Sequence, residues 1–196
     1  YKVSRFVFAS SAALYGDEPT LPKCEQSLIQ PISPYGYEKF MSEQYMKLYY
    51  NLFKVETIAL RYFNVYGPRQ DPSSEYSGVI SIFDEKFSNN ECPIIFGDGK
   101  NFRDFIHVKD VVRANICAMH QSYNRDRMEF CCGTGVKNTI NEIFYIFCKK
   151  YNKDWTPIYK NERKGDIVGS ISDNSNMISL IGKDHLIPFE EGVIAL

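Results

Sequence analysis

The chain has 196 residues, of which 44% are hydrophobic and 24% charged, an ordinary balance for a globular protein with one sizeable domain, or a domain and a half. A formal net charge of −1 excludes nucleic acid as a bulk electrostatic partner, although it allows a local basic site for phosphate groups. No apolar run reaches the roughly 18 residues of a membrane span, and no secretory signal leads the sequence. The six cysteines form no CxxC pair and the three histidines lack metal-ligand spacing, so we expect reduced buried thiols, no metal site and a cytoplasmic protein.

The first third of the sequence predicts a strand, a helix and a second strand. Val3–Ser10 is a continuous apolar run, typical of a strand buried on both faces of a parallel sheet. A proline-containing loop covers residues 17–32, and then Ser33 as N-cap and Pro34 as first helical residue predict a helix to about Tyr50. Val55–Asn64 is a second buried strand, which completes a right-handed parallel βαβ unit.

Shorter elements follow the βαβ unit in irregular order. The predicted helices are Gly78–Ser88, Lys109–Gln121, Ile140–Lys150 and Asn176–Ile181, with a further helix starting near residue 191. The predicted strands are Cys92–Phe96, Asp104–His107, Met128–Cys132 and Thr156–Tyr159. We therefore expect an α/β fold: residues 1–65 form the C-terminal part of a Rossmann-like parallel sheet, and residues 66–196 form mainly a smaller mixed α/β lobe, with some segments returning to the core.

Three side chains in the βαβ unit suggest proton transfer. Tyr35 and Lys39 are four residues apart, so one helical turn places them on the same face. A lysine ammonium beside a phenol favours the phenolate form, which can act as a base near neutral pH. Ser11 ends the apolar strand, where its hydroxyl can orient a substrate alcohol or relay its proton. Together these groups suit removal of a proton from a sugar hydroxyl while a hydride leaves the same carbon.

Five stretches of the sequence, in order, resemble the extended short-chain dehydrogenases/reductases, and among them the NAD-dependent nucleotide-sugar epimerases. They are FVFASSAALYG, SPYGYEK, ALRYFNVYGPRQ, IIFGDGKNFRDFIHVKDVVRA and ERKGD. A lone YxxxK occurs by chance in many proteins, whereas five ordered matches over almost the whole chain are specific.

This resemblance implies a cofactor and a set of catalytic groups. The cofactor is NAD, and Tyr35 is the catalytic base and acid. Lys39 hydrogen-bonds the nicotinamide ribose and favours the phenolate of Tyr35, which also lies against the cofactor. Ser11 helps to hold the reacting hydroxyl, and Tyr62 lies near the cofactor.

The resemblance also implies a UDP-sugar substrate and the residues that bind it. Asn64, Arg103 and Arg163 contact the diphosphate, for which arginine offers a fork of donors. Asp166 accepts from the vicinal diol of the uridine ribose, and Phe96 presents a flat face to the pyrimidine. The complete substrate-binding set is Ser10, Asn64, Val79, Ile80, Phe96, Arg103, Arg163, Asp166 and Ser170.

Small differences from related enzymes indicate the reaction and the sugar. The similar 4,6-dehydratases carry an acidic pair where this chain has Ser11 and Ala12, so epimerisation at C4 is favoured. Ser170 lies where some members carry a bulky tyrosine, and a small side chain leaves room for an N-acetyl group. The segment Arg69–Pro72 also resembles members that act on UDP-N-acetylglucosamine. The expected reaction interconverts UDP-GlcNAc and UDP-GalNAc.

Other readings stay open on the sequence alone. UDP-glucose/UDP-galactose and UDP-glucuronate are alternative substrates, and 4,6-dehydration is an alternative reaction. A non-catalytic dinucleotide-binding sensor or scaffold of the same fold is an alternative class. The full-length enzyme is expected to be a homodimer, because family members often pair through the helix that bears the catalytic tyrosine.

One expected feature of the family has no counterpart among these residues: the glycine-rich strand–turn–helix that binds the NAD pyrophosphate through backbone amides. Cys131–Gly135 (CCGTG) does not replace it, because the third glycine of GxGxxG is absent and Asn138 stands there. We therefore predict that this polypeptide by itself binds NAD weakly and does not turn over. Equilibrium dialysis that showed tight NAD binding by these 196 residues would contradict this prediction.

Overall fold

A computed structural model describes residues 3–74, 78–120, 128–162, 169–182 and 186–196. The strands are β1 (Arg5–Ser11), β2 (Glu56–Tyr62), β3 (Asn64–Tyr66), β4 (Ile94–Phe96), β5 (Phe102–Arg103), β6 (Phe105–His107), β7 (Glu129–Cys132), β8 (Asn138–Thr139) and β9 (Ile158–Lys160). The helices are α1 (Pro34–Phe53), α2 (Val79–Ser88), α3 (Val108–His120), α4 (Ile140–Lys150), α5 (Ser175–Ile181) and α6 (Phe189–Ile194), and a 3₁₀ turn spans Ala12–Tyr15. In the described part of the chain, no helix is long and apolar enough to cross a bilayer.

The main sheet has the order β1-β2-β7, and both pairings are parallel. β2 lies in the centre, where alternate residues face opposite layers. Ile58 and Leu60 pack with α3 and α5 in one apolar cluster. Arg61, from the other face, reaches Glu43 on α1. The sheet therefore lies between α1 on one side and α3 with α5 on the other, as the predicted α/β class requires.

The second lobe is built around aromatic side chains from α2, α4 and α6. Phe83 and Phe87 of α2 pack against Phe144 and Phe147 of α4, with ring centroids 5.5–6.3 Å apart. Val193 of α6 is buried in the same cluster. Short parallel pairs β3–β6 and β4–β9 and the antiparallel pair β5–β8 surround this core. The lobe owes its order to packing of helices rather than to one large sheet.

The structure corrects the prediction of one strand over Val55–Asn64. The ladder of β2 ends at Tyr62, and after Phe63 the chain enters β3 and pairs with β6 instead. The change of partner is set at Asn64, whose amide N–H donates to Asp104 O at 3.1 Å. Because Val65 packs with the first cluster and Tyr66 with the aromatic one, β3 joins the two cores.

Other differences concern exposure and short strands. β1 is not buried on both faces: among the described strands it pairs only with β2, and Phe6 is 49% exposed. Two-residue strands β5 and β8 carry no periodic signal and were not predicted. Cys131, Cys132 and Cys148 are buried as expected, whereas Cys24, Cys92 and Cys117 are partly exposed, and none of the six forms a disulfide. The predicted domain boundary at residue 65 stays a prediction.

A buried ion pair joins the central strand to α1. Arg61 Nη2 lies 2.7 Å from Glu43 Oε2, Arg61 Nε lies 3.0 Å from Glu43 Oε1, and both side chains are only 1% exposed. Burial works against the charged guanidinium, but the hydrogen bonds with Glu43 outweigh it and raise the pKa of Arg61 above its ordinary value. Glu43 Oε1 also accepts from Ser10 Oγ at 2.6 Å, so the pair ties together β1, β2 and α1.

Removing one member of this pair should destabilise the fold strongly. Glu43→Gln leaves the buried Arg61 charge without its partner, which costs about 3–5 kcal/mol. Urea denaturation measures the loss as a lower unfolding midpoint. The matched control is Glu91→Gln, because Glu91 pairs with Lys86 on the surface and solvent already screens that pair. Equal, small shifts in the two variants would show that the buried pair does not hold α1 to the sheet.

Candidate functional site

The start of α1 and the end of β1 are held against each other. Ser33 Oγ caps α1 by accepting from Gly36 N at 3.1 Å, and Ser11 Oγ caps the 3₁₀ turn by accepting from Ala13 N at 3.1 Å. A Cβ at Gly36 would lie 2.8 Å from Ala13 O, closer than side chains tolerate. Glycine between Tyr35 and Tyr37 therefore allows the first turn of α1 to touch the 3₁₀ turn. This contact brings the Tyr35 and Ser11 regions together.

Lys39 and Tyr35 share a face of α1, as their spacing predicts. Lys39 Nζ lies 5.4 Å from the centroid of the Tyr35 ring and 4.9 Å from that of Phe8. It donates one hydrogen bond, 2.8 Å long, to Ala9 O near the carboxyl end of β1. An ammonium has three donors, so hydrogen-bonding capacity remains for a ligand at this sheet edge. Tyr35 itself is 48% exposed.

A cavity of about 840 Å³ lies beside the 3₁₀ turn, and we call it the loop cavity. Its walls are the turn and the following loop, the junction of β2 with β3, the strand β5 and the segment Gly169–Ser170. Its lining includes Ser11, Tyr62, Asn64, Arg103 and Ser170. Asn64 Nδ2 and Ser170 Oγ are 3.4 Å apart, so these two predicted substrate residues meet in one wall.

A second cavity, of about 790 Å³, lies beside α2, and we call it the α2 cavity. It includes Val79, Ile80 and Phe96 of the predicted substrate set, together with Gln70 and Asn101. Phe63, Asn64 and Arg103 line both cavities. The two cavities therefore adjoin at a shared polar wall, with serine, tyrosine and amide groups on one side and an aromatic and aliphatic pocket on the other.

Asp104 fixes the segments around this shared wall. Its carboxylate is fully buried and accepts five hydrogen bonds: from Thr134 N and Oγ1, from Gly135 N, and from Ser172 N and Oγ, at 2.6–3.0 Å. These bonds hold the segment that carries Ser170 next to β5. A Cβ at Gly169 would lie 2.1 Å from the Phe102 ring, so only glycine lets this segment lie flat on that ring.

Some predicted site residues lie elsewhere. Ser10 lines neither cavity, since it is buried with its hydroxyl donated to Glu43. Tyr35 and Lys39 also lie outside both linings, although Ser33, two residues before Tyr35, lines the loop cavity. Tyr35 therefore lies two residues from the cavity lining along the first turn of α1. Arg163 and Asp166 lie outside the described residues, so their predicted roles stay predictions.

The two tyrosines that line the loop cavity, Tyr15 and Tyr62, are more buried than Tyr35. Burial raises the pKa of Tyr15 well above its ordinary value, and it raises the pKa of Tyr62 in the same direction. Tyr62 OH accepts from Asn115 Nδ2 at 2.7 Å, and Tyr15 OH accepts from Arg61 Nη1 at 2.9 Å. Both phenols therefore keep their protons near neutral pH. Tyr35 is the phenol of this site that is accessible and has an ammonium beside it.

The sequence reading missed two features of the site. The Glu43–Arg61 pair was not predicted, because charged residues in a strand and a helix ordinarily face solvent. The sequence signal for it is an arginine inside the apolar run of β2. Lys23 was also missed. Its side chain is 6% exposed, lines the loop cavity and pairs with Glu18, yet it lies in a loop without any pattern.

Comparison with known proteins assigns the sequence to one family. The sequence model of the NAD dependent epimerase/dehydratase family matches residues 1–131. The chain belongs to this family. A protein of Methanocaldococcus jannaschii provisionally named UDP-glucose 4-epimerase is 41% identical over 194 residues, which are 98% of this chain and 62% of that protein. The chain thus spans about three fifths of the length of this relative.

Two solved structures are equally similar to this member of the family. They are a UDP-N-acetylglucosamine 4-epimerase from Methanobrevibacter ruminantium in complex with UDP-N-acetylmuramic acid, and a UDP-glucose 4-epimerase from Thermotoga maritima with UDP-glucose. Each is 38% identical with a TM-score of 0.89, over 97% of this chain and 61% of the other. The overall similarity confirms the fold, but it does not choose between the two sugars.

Proposed function

We propose that this chain carries the substrate-binding and proton-transfer groups of a UDP-sugar 4-epimerase. The observation that carries the proposal is the pair of adjoining cavities with Asn64 and Arg103 in their common wall. A UDP-sugar has a flat base, a dianionic diphosphate and a hydroxylated ring in that order. The base fits the α2 cavity with Phe96 and Ile80, the diphosphate fits the shared wall, and the sugar fits the loop cavity.

The proposed catalytic group is Tyr35, two residues after Ser33 of the loop-cavity lining. Its phenolate accepts the proton of the C4 hydroxyl, while Lys39 on the same helix face stabilises the negative charge. Ser11, in the cavity lining, orients that hydroxyl. Loss of the C4 hydride to the bound cofactor would give a 4-keto sugar. After this sugar rotates within the cavity and the hydride returns to its opposite face, Tyr35 gives the proton back to the C4 oxygen.

NAD fits this arrangement at the carboxyl end of β1. Lys39 Nζ points to that end through its bond with Ala9 O and keeps donors that suit a ribose hydroxyl. Ligands of open parallel sheets bind outside the carboxyl ends of the strands. When bound, NAD supplies the acceptor and donor of the hydride. Lys39 and Tyr62 are the residues of this chain that would lie against it.

The proposed sugar is an N-acetylhexosamine, so that the enzyme interconverts UDP-GlcNAc and UDP-GalNAc, with UDP-Glc and UDP-Gal as further substrates. Ser170 supports this choice because it is small and lies beside Asn64 in the wall of the loop cavity. A tyrosine at this position would fill part of the space that an N-acetyl group needs.

We also infer a homodimer through α1. Large apolar side chains form a stripe along its exposed face at helical spacing: Tyr37, Met41, Tyr45, Leu48 and Leu52. A monomer seldom leaves such a stripe in water, and the same face of a second copy would cover it. Light scattering on the complete gene product measures the oligomeric mass, and a monomer would contradict the inference.

Tyr35→Phe should abolish turnover without abolishing substrate binding. Loss of a positioned proton donor and acceptor lowers kcat by about 10²–10⁴-fold. The assay uses the complete gene product with NAD, and titration calorimetry measures the Kd for the UDP-sugar. Tyr145→Phe, which removes an exposed hydroxyl from α4, is the matched control and should leave kcat unchanged. Normal turnover by Tyr35→Phe would refute Tyr35 as the base, and with it this mechanism.

Ser170→Tyr tests the proposed sugar. The added ring occupies the loop cavity beside Asn64, so kcat/KM for UDP-GlcNAc should fall at least about tenfold more than kcat/KM for UDP-glucose. Ser170→Ala is the control, since it removes the hydroxyl without adding volume. Equal losses on the two substrates would show that Ser170 does not discriminate between them.

A further inference from the structure

The loop cavity contains a charged pair that the proposed mechanism does not use. Lys23 Nζ donates to both the main-chain oxygen and the carboxylate of Glu18. The Lys23 side chain is 6% exposed and that of Glu18 10%, and both residues line the cavity. The hydrogen bond from Lys23 lowers the pKa of Glu18 to about 2, so the carboxylate is ionised at neutral pH.

Main-chain contacts hold this pair beside the wall that carries Ser170. Lys23 N donates to Ile171 O at 2.8 Å, and Asp173 N donates to Lys23 O at 2.7 Å. Glu18 Oε1 accepts from Thr20 N at 3.0 Å, which fixes the carboxylate as well. The pair is therefore a built part of the cavity rather than a mobile surface contact.

The charges of the cavity decide which substituents a sugar can carry there. Among the described residues of its lining, the charged ones are Asp17, Glu18, Lys23 and Arg103. If Arg103 binds the diphosphate, Lys23 is the remaining described cation that could contact the sugar. Its charge is already neutralised by Glu18. Among the described lining residues, a sugar carboxylate would then meet Glu18 with no cation left to pair with it. Entry of this carboxylate is disfavoured, because it loses hydration without gaining a cationic partner.

From this geometry we infer that the Glu18–Lys23 pair is a specificity determinant that excludes uronic acids and admits neutral sugars. The inference rests on the proposed function, because it assigns the loop cavity to the sugar. A neutral sugar meets no repulsion at the pair. Lys23 keeps one N–H that can donate a hydrogen bond to a hydroxyl or an amide oxygen. The chain therefore discriminates against UDP-glucuronate by charge, independently of the space beside Ser170.

Two substitutions of opposite effect test the inference. Glu18→Gln frees the Lys23 charge and should lower the ratio of Kd for UDP-glucuronate to Kd for UDP-glucose by about tenfold or more. Lys23→Met leaves Glu18 unbalanced and should raise the same ratio. Titration calorimetry on the complete gene product with NAD measures both constants, and UDP-glucose reports that each variant is folded.

Asp17→Asn is the matched control. It removes the same charge from the same cavity, but at an exposed residue where solvent screens it, so the ratio should change by less than about threefold. An unchanged ratio in Glu18→Gln, an equal change in Asp17→Asn, or equal wild-type affinity for the two nucleotides would overturn the inference while the proposed epimerase stands. A wild-type protein that binds neither UDP-sugar would overturn both.

Discussion

The Arg61 guanidinium lies under the centre of the sheet, and the position of α1 depends on it. Two hydrogen bonds join it to Glu43 on α1, a third reaches Tyr15 OH at 2.9 Å, and a fourth reaches Glu25 O at 3.0 Å. A buried guanidinium without these partners would be very costly. Helix α1, the 3₁₀ turn and the loop after it must therefore keep one arrangement around β2. That arrangement sets the first turn of α1, which carries Tyr35, against the 3₁₀ turn that follows Ser11.

The same hydrogen-bond network fixes the loop between the 3₁₀ turn and α1, which forms part of the wall of the loop cavity. Tyr15 OH also donates to Cys24 O at 2.9 Å, and Glu25 Oε1 accepts from Cys131 N at 2.9 Å. The loop between the 3₁₀ turn and α1 is thus tied to β7 and to β2. On the other side of the cavity Asp104 performs a similar task with five donors. Two buried carboxylates, Glu43 on one side and Asp104 on the other, thus hold the walls of the loop cavity in place.

Much of the fold could be predicted because its elements have strong local signals. Ser33 and Pro34 define the start of α1, and the apolar runs define β1, β2 and β7 to within one or two residues. The break at Phe63 could not be predicted, since the apolar run continues through it and only the competing partner β6 ends the ladder. The prediction that β1 is buried on both faces was wrong for a related reason. Burial depends on neighbouring elements that a strand's own residues do not specify.

The sequence by itself determined the family, the types of chemical group and the shared face of Tyr35 and Lys39, because these depend on residue identity and helical spacing. Only the tertiary structure decided which groups meet. It placed Asn64, Arg103 and Ser170 around a common wall, left Ser10 in the interior, and brought Lys23 and Glu18 into the lining of the loop cavity. Those outcomes follow from strand pairing, from buried charges that require partners and from glycines that allow close approach, all of which join residues far apart in the chain.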